Sequence, residues 1–437
     1  MNPKVNILIP TCNRPRLFEQ AIQSVLAQTY DNLDIIVTDN SENDQTELIA
    51  AKYNGFKHLI RYYKNPANIG MTGNFIRCLE LADGEYINYL MDDDLFHPQK
   101  IERMMACFLA DPQVVLVTSN KEYINSENYI VDDTVNEIFN QDLIMDGLEL
   151  GDIVLKNCTN YIGEPTAVLF KRSALTEPFG AYTGKIARNN SDVATWLNIL
   201  RTGKAVYLSD CLSFIRIHEN RVSETINSIV NEFSDWVDNI FDSRNDGYLK
   251  IEFDFRLCLQ NLSRMLMYNN FRMNECQDIP LKEDFEYFFS RILYFLEYLK
   301  NYPREGFDDY LIQAVTDFCY YTRWISHEKF FTRFLNIHAV SKNRNILIWG
   351  TGNGGVRTLK FLRKKGICVQ GFIDSNCHNE SQLCQGLKIN NPSILDDDAE
   401  KPYVVIGSSY CKEIQEKLQT LGFRYQTDFI ENALLFL

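Results

Sequence analysis

The sequence predicts an α/β protein built on a doubly wound sheet, followed by a helical segment and a small second α/β unit. Three observations carry that expectation. Over the first two hundred residues, short β-branched and aromatic runs alternate with apolar stripes at helical spacing. From about residue 224 the strand-like runs give way to long helical stripes. At Asn345 a strand-like run enters a glycine-rich turn and a further helical pattern. The expected boundaries are 1–223, 224–342 and 343–437.

Taken in order, Val5 to Ile9 is a buried strand that Pro10 ends, and Pro15 suits the first turn of a helix. Phe18, Ala21, Ile22, Val25 and Leu26 give that helix one apolar face. Leu33 to Thr38 is the second strand, closed by Asp39-Asn40-Ser41. A helix then runs to about Tyr53, and His58 to Tyr62 reads as a third strand. Asn68-Ile69-Gly70 is a turn, and Met71 to Ala82 a helix. Tyr86 to Leu90 is the central strand, Pro98 opens a helix through Ile101, Met104, Met105 and Phe108, and Val114 to Thr118 is another strand. This βαβαβα alternation implies a parallel, doubly wound arrangement.

Composition narrows the function. With 437 residues the chain is long enough for two or three domains. A net charge of −14 argues against binding nucleic acid, which needs clustered Lys and Arg. No stretch approaches the roughly 20 apolar residues of a membrane span, and the opening apolar run is too short for a signal peptide. The twelve cysteines show no zinc spacing. Cys78, Cys107 and Cys211 sit in apolar patterns and read as buried thiols in a reducing cytoplasm, with attachment to the inner face of a membrane and self-association both compatible with the sequence.

The segment from Gly84 to Pro98 organises the rest. The central strand runs straight into Asp92, Asp93 and Asp94. Ligands bind at the carboxyl ends of such strands. Three adjacent anions repel one another, and a divalent cation offsets that repulsion; hard oxygens suit Mg²⁺ or Mn²⁺. By itself the run reads equally well as a solvated acidic turn. Its neighbours add weight, because Thr11, Asn13 and Arg14, then Asp39, then Asn68 all fall at ends that a parallel sheet gathers on one edge. A nucleotide fits that set: Asp39 can accept from a base N–H, Arg14 can stack or pair, and a metal can hold a pyrophosphate. No glycine-rich phosphate loop follows the first strand.

Residues 1 to about 220 resemble a GT-A-type glycosyltransferase of family 2, the large inverting family. The resemblance rests on VNILIPTCNRPRLFEQAIQSVLAQTYDNLDIIVTDNS and NIGMTGNFIRCLELADGEYINYLMDDD. It implies a GT-A doubly wound mixed sheet, a nucleotide-sugar donor, a divalent metal and inversion at the anomeric carbon. It also implies that Asp39 contacts the nucleobase and that the acidic run is a DxD-type motif. Met91 stands where the family's pattern has its first Asp, so Asp93 is the favoured metal ligand, with Asp92 facing ribose or metal; Asp94 is either a further ligand or the helix cap.

Two later segments extend the resemblance. In YIGEPTAVLFKR, Glu164 can bind an acceptor hydroxyl, or is equally a solvated turn acid. In Asn189-Asn190-Ser191-Asp192, Asp192 reads on its own as a helix-start carboxylate. The resemblance raises it to the catalytic base, although Ser191 replaces the family's Glu. Asn120 to Asp152 reads as an irregular lid. His218, in Phe214-Ile215-Arg216-Ile217-His218, resembles an Arg-x-His segment of the family and is a further metal candidate, though a lone His is more often structural. The Gln-x-x-Arg-Trp motif of processive synthases is absent, so transfer of one sugar or a few is expected; the resemblance implies a UDP-hexose donor, a glycan, lipid-linked glycan or glycoprotein acceptor, and bacterial surface polysaccharide or glycoprotein assembly.

The rest of the chain reads more simply. Phe285, Phe288, Ile292, Leu296 and Leu299 form one helical stripe, and Leu311, Val315, Phe318 and Trp324 suggest another, as in a bundle core. Gly350, Gly352 and Gly355 form a G-x-G-x-x-G between strand and helix, and Asp374 follows at about the ribose distance. A Rossmann-like unit of this size is as readily structural as ligand-binding. Two rival functions follow: an NAD-dependent sugar-nucleotide oxidoreductase using the second unit, and a non-catalytic sugar-nucleotide-binding scaffold.

Overall fold

The computed structural model describes residues 2–53, 55, 59–131, 139–217, 225–275, 281–302, 344–364, 367–377, 382–396, 401–408, 410–424 and 427–431. His218 and the aromatic stretch beyond Tyr302, with Leu311, Val315, Phe318 and Trp324, lie outside the described residues. The chain divides into two compact units, residues 1–223 with 231–262 and residues 224–230 with 263–437.

The first unit is built on a nine-stranded mixed sheet. Its parallel part is β1 (Val5–Thr11), β2 (Leu33–Asp39), β3 (Leu59–Lys64) and β4 (Tyr86–Tyr89), in the order β3-β2-β1-β4. The order reverses at β1, so a crevice opens at the carboxyl ends of β1 and β4. All seven residues of β1 are buried, as a strand covered on both faces must be. Helix α1 (Pro15–Leu26) begins on proline and buries Phe18, Ala21, Ile22 and Val25. Helices α2 (Gln45–Tyr53) and α3 (Gly70–Glu80) complete the crossovers.

Beyond β4 the sheet departs from simple alternation. β5 is the short Leu95–Phe96, and α4 (Lys100–Ala110) starts two residues after Pro98 with Gln99, not Asp94, as its cap. β6 (Val114–Ile124) runs well past Thr118. The polar residues Asn120 to Glu122 stay in the strand because they pair with β11 (Lys204–Arg216). Within the segment expected to be an irregular lid, β7 (Leu143–Asp146) and α5 (Gly147–Asn157) are regular, and the Asp146 carboxylate caps α5 by accepting from the Leu148 N–H. β8 (Leu169–Lys171) inserts antiparallel between β4 and β6. The two-residue strands β9 (Ala181–Tyr182) and β10 (Lys185–Ile186) form a separate hairpin, and α6 (Ser191–Leu200) follows. β11 skips residues against β6 around Cys211 and pairs antiparallel with β5 at its far end. That bulged course carries Arg216 back to the acidic run.

Helices α7 (Ile226–Ser243), α8 (Glu252–Glu275) and α9 (Lys282–Asn301) follow, with most of α7 and the first part of α8 in the first unit. In α9, Phe285, Phe288, Ile292 and Leu296 are buried. The second unit carries a six-stranded mixed sheet in which Ile346–Trp349 lies between the parallel strands Gly371–Ile373 and Tyr403–Ile406. Gly350 follows that central strand, and a Cβ on Gly355 would meet the Gly350 carbonyl oxygen at 1.8 Å, so only glycine allows the helix Asn353–Lys364 to sit this close. The nine cysteines whose side chains are described are free; Cys78 is buried as expected, while Cys107 and Cys211 are half-buried.

Candidate active site

The carboxyl ends of β1 and β4 meet through Asp92. Its Oδ2 accepts from the Thr11 hydroxyl at 2.7 Å and the Cys12 N–H at 3.4 Å. Its Oδ1 faces Arg14 Nη1 at 3.3 Å, and the same Nη1 donates to Asp93 Oδ2 at 2.7 Å. Burial, then the charge of Asp93, pushes the Asp92 carboxyl up to about 6. The two carboxylates in turn outweigh burial at Arg14 and raise its pKa. A cation thus already sits between Asp92 and Asp93.

Two carboxylates converging on one positive charge fit the donor set of Mg²⁺ or Mn²⁺, which completes its shell with phosphate oxygens and water. Among the described residues no group of three or more His, Cys, Asp or Glu could hold a metal without such help. Asp94 does not join the pair. It is buried, its Oδ2 accepts from the Thr166 hydroxyl at 2.5 Å, and its Oδ1 accepts from the Arg216 N–H at 2.9 Å. Burial raises its pKa well above the carboxylate range. The expectation of Asp94 as a metal ligand, or as a helix cap, therefore gives way to an internal brace.

Asp39 ends β2 fully buried, with Oδ2 accepting from Tyr62 OH and Oδ1 from the Ser41 N–H, both at 2.7 Å. Asn13, at φ +57°, donates its N–H to Ser41 Oγ at 2.6 Å. Asn68 is exposed; its Oδ1 accepts from the Gly70 N–H, and its Nδ2 lies 4.0 Å from Cys12 Sγ. Beneath them an asparagine network went unread in the sequence. Asn65 bridges the side-chain oxygens of Asn40 and Asn74, and Asn74 Nδ2 donates to the carbonyls of Thr11 and Thr38. It satisfies the buried backbone at the strand ends.

A second cluster lies around Asp192 on the first turn of α6. Asp192 is half-buried. Its Oδ2 accepts from Asn160 Nδ2 and its Oδ1 from the Val193 N–H, each at 2.8 Å. Asn160 is locked by accepting from the N–H groups of Ile162 and Gly163, and Gly163 takes the positive φ of +108° that the turn requires. Burial pushes the Asp192 carboxyl up to about 6; Glu164 adds to the rise, while the Val193 N–H and Lys121 oppose it. Glu164 pairs with Lys121, which projects from the polar end of β6.

The Glu164-to-Ala167 turn joins the two clusters. The Thr166 hydroxyl accepts from the Met91 N–H and donates to Asp94. Asn88 Nδ2 lies 3.3 Å from the Pro165 carbonyl and 3.2 Å from that of Thr166, and Lys100 Nζ donates to the Ala167 carbonyl at 2.9 Å. Lys100 is fully buried, which drives its pKa well below the lysine range. Arg216 braces the other side, donating from Nε to the Asp93 carbonyl and from Nη2 to Gln20 and Asn128. In the second unit, Asp374 accepts from the Thr351 hydroxyl and the Asn376 N–H beside the Gly350 turn.

A mixed α/β sheet with a crevice at its reversal is the fold of the GT-A glycosyltransferases. Residues 6–177 match the family described as Glycosyl transferase family 2. Residues 342–427 match a second description, C2185-like, N-terminal. A Rickettsia typhi protein named an uncharacterized glycosyltransferase is 29% identical over 239 residues, 54% of this chain and 70% of its own. The Campylobacter jejuni GalNAc(5)-diNAcBac-PP-undecaprenol beta-1,3-glucosyltransferase is 36% identical over 93 residues, 21% of this chain and 30% of its own. Among solved structures, S. aureus TarS 1-349 in complex with UDP-GlcNAc shares the fold, with a TM-score of 0.50, 14% identity, and coverage of 67% of this chain and 81% of its own.

Proposed function

We propose that the N-terminal unit is an inverting, metal-dependent transferase that moves a hexose from a UDP-sugar to a hydroxyl of a glycan or lipid-linked glycan. The observation that carries the reading is the separation of two kinds of carboxylate. Asp92 and Asp93 share a cation at the strand ends, whereas Asp192 is held by amides on a different element. Support for the nucleotide comes from TarS, whose complex holds UDP-GlcNAc. Support for a lipid-linked acceptor comes from the name of the Campylobacter relative. No helix among the described residues is long and apolar enough to cross a membrane; a lipid-linked acceptor would be met at a membrane face.

In this reading Asp92 and Asp93 would hold one Mg²⁺ or Mn²⁺, which would stabilise charge growing on the diphosphate. Arg14 adds a second positive charge beside it, and Thr11 holds Asp92 in place. Asp192 takes the proton from the acceptor hydroxyl. The freed oxygen attacks the anomeric carbon, and the bond to the diphosphate oxygen breaks on the opposite face, its electron pair leaving with the nucleoside diphosphate. Glu164, partly exposed beside Lys121, orients the acceptor by accepting from a second hydroxyl.

The purified chain, incubated with a panel of UDP-, GDP- and dTDP-sugars in Mn²⁺ or EDTA, should release a nucleoside diphosphate from one donor. That release should require Mn²⁺. Absence of any metal-linked binding of a nucleotide sugar would overturn the reading.

A further inference from the structure

Asp235 lies on α7, more than forty positions beyond Asp192, yet its carboxylate fills the loop from which Asp192 springs. Oδ2 accepts from three consecutive backbone N–H groups: Arg188 at 3.1 Å, Asn189 at 2.7 Å and Asn190 at 2.8 Å. Oδ1 also accepts from Arg188, at 3.1 Å. Three successive amides converging on one anion form a nest. Here the occupant is part of the chain. Asp235 is 4% exposed, so solvent does not compete for these bonds.

The nest abuts the catalytic helix. Asn190 caps α6 and accepts the Ala194 N–H, while its side chain donates to the Glu232 carbonyl on α7. The Asn190 side chain makes no cap bond to α6, so the entry angle of the helix depends on the backbone of residues 188–190. The neighbouring hairpin is tied to α7, because Lys185 pairs with Asp238 and Asp242. Behind this anchor, Val193 to Leu200 are all buried. Asp192 is thus held twice, at its carboxylate by Asn160 and through its backbone by Asp235.

Resting on Asp192 as the base, we propose that Asp235 is a positioning residue that sets where the base stands, by clamping the Arg188–Asn190 amides ahead of α6. The carboxylate is the right group for this. Charge-assisted bonds to N–H groups are roughly twice as strong as neutral ones. An amide in its place loses the charge and, whichever way it is flipped, turns an N–H against at least one of these N–H groups. Burial pushes the Asp235 carboxyl up to about 6, and the three N–H groups pull it back toward the ionised form.

The test uses the full chain as Asp235→Asn and Asp235→Glu, compared with wild type in amide hydrogen exchange, UDP affinity in Mn²⁺, and the kcat and KM of sugar transfer. In Asp235→Asn the amides of residues 188–190 should exchange at least about tenfold faster. Its kcat should fall by about 10²-fold, the cost of a misplacement near 1 Å. UDP affinity should stay within about twofold, and Asp235→Glu, which keeps the charge, should recover part of kcat. An unchanged kcat would overturn the proposal, as would a loss of UDP affinity in step with kcat, which is the mark of general destabilisation. If Asp235→Asn fails to fold, the Glu variant decides by the same kcat and UDP readings. Absence of transfer by the wild type would instead remove the base on which the proposal rests.

Discussion

Asp92 and Asp192 make an instructive pair. Burial pushes both carboxyls up to about 6, and both are held by two or more hydrogen bonds. They differ in what surrounds them. Asp92 shares Arg14 with a second carboxylate, so its charge is already matched by a cation. Asp192 faces the Asn160 amide and a backbone N–H, with the Lys121–Glu164 pair as its charged neighbours. The first arrangement suits holding positive charge against a diphosphate. The second suits a group that must gain a proton and lose it again, since neutral donors orient a carboxylate without quenching it.

The largest effect should come from Asp192→Asn. Its carboxamide keeps the shape, but transfer should fall by about 10² to 10⁴-fold in a steady-state assay, the range for losing a general base. Residual transfer near wild type would end the comparison on that side. Next, Asp93→Asn should raise the Mn²⁺ concentration needed for half-maximal transfer by at least about tenfold, read from a Mn²⁺ titration after EDTA treatment. An unchanged requirement would place the metal elsewhere.

The pH dependence has a definite sign. As the proposed base, Asp192 would act only when ionised, so kcat should be high above about pH 6 and be lost as pH falls through that value. A pH series of kcat at saturating donor reads the midpoint, and a flat profile from pH 5 to 7 would contradict the assignment. The smallest effect sharpens it. Lys121 lowers the Asp192 pKa and Glu164 raises it, so Lys121→Met should move the midpoint up and Glu164→Gln should move it down, each by less than about one unit. Shifts of the same sign in both variants would show that the pair does not act on Asp192 through charge.

Much of this was legible in the sequence because it is local. Strand ends carry Thr11, Arg14, Asp39 and Asp92, and β-alternation with helical stripes places those ends on one sheet edge. Asp192 was marked by its place at a helix start and by resemblance. What stayed hidden is held over distance. Arg216 meets Asp94 across 122 positions, and Asn160 meets Asp192 across 32. Neither residue type signals its partner. The fate of Asp94 follows from that, since only the return of β11 and the Thr166 turn show that it braces the interior. The segment after Asn120 misled for a related reason. Its polar residues look like loop, but pairing with β11 keeps them in a strand, and Lys121 reaches Glu164 because of it. The asparagine network and the Asp235 nest belong to the same class, polar side chains whose meaning is the backbone they satisfy.

The division of labour is tested most directly by calorimetric titration of UDP into Asp93→Asn and Asp192→Asn in the presence of Mn²⁺. Asp93→Asn should lose at least about tenfold in UDP affinity, while Asp192→Asn should bind within about twofold of wild type. Equal losses in both variants, or a loss confined to Asp192→Asn, would contradict it.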